Sequence, residues 1–334
     1  DEDERLETIN KRIEKWSSRI SDEISIKQSA VHKILQELLL EEKDNKKTYS
    51  LDNLEYKYEE YLALSGKNKI RGSKDFLIEE MDISKYDIPG VSQVVLVKKL
   101  KEIQVLVGFS RLQPISVADM DDPHFVSIKQ EDDNWYPGFE VRGEGIFIQF
   151  DMNKLSKWAE SPFVIKRKEI LLDNYEHSTM NGRIHEYLDA CFILLHTISH
   201  LLIKQLSYEC GYNIASLRER IYYMPEKDPE TKMAGILIYT ASGDAEGTLG
   251  GLVRQGREDC FTRIFKEAIE HAELCSNDPV CITSKGQGRE SLNLASCHAC
   301  GLIPETSCEI YNIMLDRGLV VGTFEEPRDG FYSD

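Results

Sequence analysis

The chain has 334 residues, 41 of them basic and 58 acidic, for a net charge of −17; 41% are apolar and 30% charged, an ordinary globular composition. This acidic balance repels a polyanion at long range, so any nucleic-acid contact must be local or shared with a partner. No apolar run approaches the roughly 20 residues of a membrane span and residues 1–20 lack the apolar stretch of a signal peptide, so a cytoplasmic protein without membrane contact is expected.

A chain of this length suits two or three packed units. It begins with Asp1, in the middle of a charged helix-like stretch, which points to a further part upstream. Leu6, Ile9, Ile13, Trp16, Ile20 and Ile24, followed by Ile34, Leu35, Leu38 and Leu39, recur at helical spacing over residues 1–43. LEYKYEEYLAL at 54–64 predicts another helix, and KNKIRGSK at 67–74 a basic loop. QVVLVKKLKEIQVLVGF at 93–109 has two β-branched runs around a charged centre, and GEGIFIQF at 143–150 is a third strand-like run, so a small antiparallel sheet is expected. RIHEYLDACFILLHTISHLLIKQLSYEC at 183–210 predicts a long helix, apolar on nearly every face and therefore buried. GILIYT at 235–240 reads as a buried strand, ASGDAEGTLGG as a Gly-rich loop, and 252–274 as a helix leading into the cysteines. The expected fold is α+β: a helical segment over 1–75, a small β-rich domain over 76–160, and a C-terminal mixed α/β domain over 161–334 with a four-cysteine zinc site.

Five of the eight cysteines cluster near the C-terminus, which in a reducing compartment points to metal rather than disulfides. Cys275 and Cys281 lie in CSNDPVC, Cys297 and Cys300 form the C-x-x-C of SCHAC, and Cys308 follows in TSCE. Two short-spaced pairs separated by a loop suit a tetrahedral ion, because each pair grips from one side and the loop lets the second close over it. One structural zinc on Cys275, Cys281, Cys297 and Cys300 is expected, with Cys308 as the reserve ligand and His298 pointing outward. An iron–sulfur cluster and ordinary buried thiols are the other readings. Four thiolates leave no open position for water, so such a site stabilises rather than catalyses.

His196 and His200 of HTISH share a helix face, as in zinc proteases, but Thr197 stands where HExxH has its general base. The plain reading is two buried histidines hydrogen-bonded to backbone or to groups such as Glu209 and Asp244; the alternative is a metal-dependent hydrolase or nuclease using His196, His200 and Asp244. The Gly-rich loop lacks the lysine and hydroxyl of a Walker loop, and Asp244 and Glu246 oppose a nucleotide phosphate, so the chain carries no ATPase motif. Gly247 and Gly250, with Arg218, Arg220, Arg254 and Arg257, are candidates for nucleic-acid or partner contact; the plainer reading is a structural turn beside solvated or ion-paired arginines.

LHTISHLLIKQLSYECGYNIASLRERIY, GILIYTASGDAEGTLGGLVRQG, CSNDPVC and SCHACGLIPETSCE, in order over 195–309, resemble the zinc-binding C-terminal domain appended to MrfA-type superfamily-two helicases. EEYLAL, VVLVKKLKEIQVLVGFSRL and NWYPGFEVRGEGIFIQF extend the likeness to the C-terminal portion of the DrmB family of the DISARM anti-phage system. That resemblance implies a non-enzymatic bacterial defence subunit that pairs with a DrmA-like helicase and meets DNA through the complex. It also implies a helicase-associated zinc-binding domain at 161–334, with the family's metal-ligating cysteines falling on Cys275, Cys281, Cys297 and Cys300. The insert between the two cysteine pairs is longer here than in the helicase-linked version.

Overall fold

The structure, a computed structural model, describes residues 16–18, 21, 27–29, 31–32, 45–68, 74–111, 124–129, 135–184, 187–225, 232–240 and 251–333. The chain forms two compact units, 1–55 and 56–334. In the first, most of the expected apolar stripe, from Leu6 to Leu39, lies outside the described residues. Trp16 stands in a described helical turn with 43% of its surface exposed, while Ser17 is buried with its hydroxyl 3.5 Å from His32 Nδ1.

Helix α1 (Asn45–Leu64) includes the expected 54–64 segment and is longer. Its last residues belong to the second unit, which is built on a five-stranded antiparallel sheet. The strands are β1 (Leu77–Glu80), β2 (Val91–Val105), β5 (Gly138–Phe150), β6 (Leu217–Met224) and β7 (Met233–Thr240), in spatial order β1-β2-β5-β7-β6. A separate two-stranded piece pairs β3 (Gly108–Phe109) with β4 (Val126–Ser127). The β-branched run Val94 to Val97 is wholly buried because alternate side chains face opposite layers, which explains why it shows no polar alternation. On one face Val95, Val97, Phe147, Tyr222, Leu237 and Tyr239 pack with Tyr61 and Leu64 of α1. On the other, Val94, Ile146, Ile148, Ile221, Ile236 and Ile238 join the larger core around α4 (Ala190–Cys210).

Sheet strands therefore come from both sides of the expected division at 160. Residues 76–160 and 161–334 are not separate packing units; β7, paired on both edges, is buried throughout because both of its faces are covered. Gly143 permits this closeness: a Cβ there would sit 2.1 Å from the backbone oxygen of Thr240. Strand β6, helices α2 (Met152–Ala159) and α3 (Pro162–Glu176), and the short β1 were not anticipated. Asp151 and Ser161 cap α2 and α3, with Pro162 in the first turn of α3.

Helix α4 starts at Ala190, seven residues later than its apolar pattern suggested, because Asp189 accepts hydrogen bonds from the N–H groups of Cys191 (2.8 Å) and Phe192 (3.0 Å). Gly211, at φ +68°, ends it. By length and composition α4 could cross a bilayer, contrary to the expectation that no segment would, but 89% of its most apolar window is buried in the fold. The expected helix at 252–274 is two, α5 (Gly251–Gln255) and α6 (Glu258–Glu273).

Phe147 makes edge-to-face contacts with Tyr61 (5.7 Å between centroids) and Tyr222 (5.9 Å), joining sheet and α1. Phe147→Ala should destabilise the unit by about 3–5 kcal/mol, read from denaturant unfolding.

Candidate metal centre

Between the end of α6 and α7 (Gly318–Val321) the chain has little regular structure, and side chains add to the turns and short bridges that hold it. Arg317, 1% exposed, donates to the carbonyls of Ala272 (2.7 Å) and Glu273 (3.1 Å), closing the end of α6, and pairs with Asp278. Asp278 in turn accepts the N–H groups of Cys275 (2.8 Å) and Ile282 (3.0 Å), which shapes the first cysteine loop.

Cys275, Cys281, Cys297 and Cys300 bring their sulfurs within 4.8 Å of one another. Three separations are 3.5 Å (Cys275 to Cys297), 3.6 Å (Cys281 to Cys300) and 3.7 Å (Cys297 to Cys300). A disulfide needs about 2.05 Å, whereas four sulfurs about 2.3 Å from a tetrahedral zinc are about 3.8 Å apart. The donor set fits zinc in both number and spacing. Backbone N–H groups of Asn277 and Cys297 point at Cys275 Sγ (3.4 Å) and Cys300 Sγ (3.3 Å), and Asn277 Nδ2 reaches Cys297 Sγ (3.3 Å), favouring thiolates. The contact with Cys300 draws the Cys281 thiol down to about 5, while the same contact and burial push Cys300 up. Lys204 of α4 adds positive charge beside the sulfurs and donates to Ala299 O (2.8 Å), inside the C-x-x-C turn. These cysteines form a structural zinc site; His298 is exposed, as its place inside the second pair implies.

Cys308 is not a reserve ligand to that site. Its sulfur joins His196, His200 and Glu219 in a second group within 4.8 Å. The two histidines are buried and meet backbone carbonyls, one of the expected arrangements, but not the side chains named as the other. His196 Nδ1 meets Met314 O (3.3 Å) and His200 Nδ1 meets Gly301 O (2.8 Å), while Glu209 pairs with Arg263 and Asp244 lies outside the described residues. Thr197 is structural: its hydroxyl donates to Ile193 O (2.7 Å) and accepts the N–H of Asp316 (2.9 Å). Although burial alone raises it, Glu219 is held well below the usual carboxylate range by His200 and His196. Glu219 carried a signal in the sequence: on β6 it falls in phase with buried Leu217, Ile221 and Tyr223, where an apolar side chain belongs.

Gly247 and Gly250 lie outside the described residues. Arg218 pairs with Glu102 (3.0 Å), Arg220 with Glu60 (2.5 Å) and Glu309 (3.3 Å), and Arg257 with Glu79 (3.6 Å), so these charges are engaged within the fold; Arg254 is exposed. At the start of the helix after the Gly-rich loop, the buried Glu144 carboxylate accepts the N–H of Leu252 (2.8 Å).

Structural zinc binding is worth about 10–16 kcal/mol in small domains, as much as a whole domain's net stability. Cys297→Ser should therefore release zinc and unfold the segment around it; unchanged zinc content and melting temperature would refute the assignment. Arg317→Met leaves Asp278 without its buried partner and should cost about 3–5 kcal/mol in unfolding free energy, with zinc lost at lower chelator concentration.

Comparison with known proteins agrees with this geometry. Residues 198–301 match the MrfA Zn-binding domain. The chain is 35% identical over 291 residues to DISARM protein DrmB of Bacillus paralicheniformis, an alignment covering 85% of this chain and 51% of that protein. The chain thus spans about half the length of the relative it matches. Most of its length is therefore similar to DrmB, and residues 198–301 to the MrfA Zn-binding domain.

Proposed function

We propose that this chain is a non-enzymatic, zinc-stabilised accessory subunit of a cytoplasmic anti-phage defence complex, docking on a DrmA-like superfamily-two helicase and joining it in binding and sensing foreign DNA. The likeness to DrmB over 85% of the chain carries this reading. An all-thiolate metal site supports it, since no coordination position remains for a substrate. The net charge of −17 and the internal pairing of Arg218, Arg220 and Arg257 favour DNA contact shared with a partner over contact by this chain alone.

A docking surface is available on the β2–β5 arm. β7 pairs with β5 only over Gly145 to Gln149, so the distal ends of β2 and β5 extend past it. There Ile103, Val105, Phe139 and neighbouring Trp135 are each at least half exposed. The hydrolase alternative finds less support: His196 and His200 are both 0% exposed, out of a substrate's reach.

Co-purification with the DrmA-like helicase and a labelled-DNA mobility assay test the reading. The chain alone should neither hydrolyse ATP nor shift DNA, and the two proteins together should shift it. Trp135→Asp with Phe139→Asp should weaken the pair about tenfold or more without changing the melting temperature. ATP turnover that tracks this chain, or failure of the two proteins to associate, would contradict the proposal.

A further inference from the structure

A second constellation of metal-binding side chains lies in the core, apart from the four-cysteine site. His196 and His200 project from successive turns of α4, Glu219 from β6, and Cys308 from the irregular segment beyond the first site. The side chains of His196, His200 and Glu219 are all 0% exposed. We propose that these four residues hold a second zinc ion, bound through His196 Nε2, His200 Nε2, a Glu219 carboxylate oxygen and Cys308 Sγ.

The tautomers point this way. A backbone carbonyl only accepts hydrogen bonds, so the contacts of His196 Nδ1 with Met314 O and of His200 Nδ1 with Gly301 O place the proton on Nδ1 in each neutral ring. Both Nε2 lone pairs then face inward, the arrangement in which a metal-bound histidine is oriented by a carbonyl behind it. They converge on an acceptor: Glu219 Oε1 is 3.1 Å from His196 Nε2 and 3.4 Å from His200 Nε2. His200 Nε2 has no hydrogen-bond partner despite complete burial. Two lone pairs and a carboxylate facing one another need positive charge between them.

The remaining groups complete the set. Cys308 Sγ lies 3.3 Å from His196 Nε2 and receives the N–H groups of Ile310 (3.3 Å) and Asn312 (3.2 Å), bonds that favour a thiolate. Separations of 3.1–3.4 Å between these donors match the roughly 3.2–3.7 Å edges of a tetrahedron with zinc bonds of about 2.0–2.3 Å. Glu219 is itself positioned, its Oε1 taking the N–H of Glu309 (3.0 Å) and its Oε2 lying against the Ser199 hydroxyl. One carboxylate, one thiolate, two neutral imidazoles and a dication sum to zero charge, which suits a dry interior. With four protein ligands and no solvent access, this ion would cross-link α4, β6 and the C-terminal segment rather than catalyse. Tyr311, Asn312 and Met314 all sit at positive φ in the loop that delivers Cys308 and Met314 O, backbone strain that such a bond would offset.

The competing arrangement is metal-free, with one imidazole protonated against Glu219. Elemental analysis of the purified full chain distinguishes them. Two zinc ions per chain are expected, falling to one in His200→Ala, in Cys308→Ser and, separately, in Cys297→Ser. Zinc X-ray absorption on the unmodified chain, which does not depend on a variant folding, should give a shell that totals five sulfurs, two imidazole nitrogens and one oxygen over the two ions. One zinc per chain with an all-sulfur shell at about 2.3 Å would overturn the proposal, as would a content of two that neither His200→Ala nor Cys308→Ser lowers.

Discussion

Every backbone polar group in the long irregular segment between α6 and α7 needs a partner. Local turns and short bridges, such as Gln287 with Asn293, supply many of them, and the buried helix α4 adds others from a single polar stripe. His196 reaches Met314 O, Thr197 the N–H of Asp316, His200 Gly301 O, and Lys204 Ala299 O. These positions recur at helical spacing along the side of α4 turned to the segment, which is why an otherwise apolar helix carries them. Asp316 extends the pattern: wholly buried, it takes both Nε (2.6 Å) and Nη2 (2.7 Å) of Arg167 from α3 and the N–H groups of Ala295 and Gly318. The sulfur site closes this arrangement from the outside, since Gly301, bound by His200, directly follows the ligand Cys300.

The sheet provides the other support. Strand β6 is an edge strand, a surface that exposes unpaired backbone groups unless it is covered. Here the C-terminal segment covers it: Ser307 O takes the N–H of Glu219 (3.1 Å) and Glu309 Oε2 that of Ile221 (2.8 Å), while Lys57 bridges Ile221 O and Glu309. Metal, α4 and the β6 edge thus fix the same stretch of chain. Away from this stretch, the distal ends of β2 and β5 carry the exposed apolar side chains Ile103, Val105 and Phe139.

Much of this was legible in the sequence where a local rule applies. The four zinc ligands followed from paired spacing with turn residues between them, and α4, β5 and β7 from apolar runs and their ends. The fate of Cys308 was not legible. Nothing in TSCE says that a loop with three non-glycine residues at positive φ turns this sulfur away from the first site and toward α4. Glu219 was hidden for a related reason: its role depends on β6 lying over α4, a tertiary pairing, although its inward phase on an apolar strand was a usable sign. The division at 160 was misplaced because a sheet assembled from distant strands leaves no trace in composition.

The central claim is that metal, together with the polar stripe of α4, holds the C-terminal segment in place. Amide hydrogen exchange across residues 275–317, with zinc bound and after chelation, tests it most directly. The account predicts strong protection with zinc and its loss throughout that segment on chelation, while β2, β5 and β7 stay protected. Equal protection of residues 275–317 in both states would contradict it.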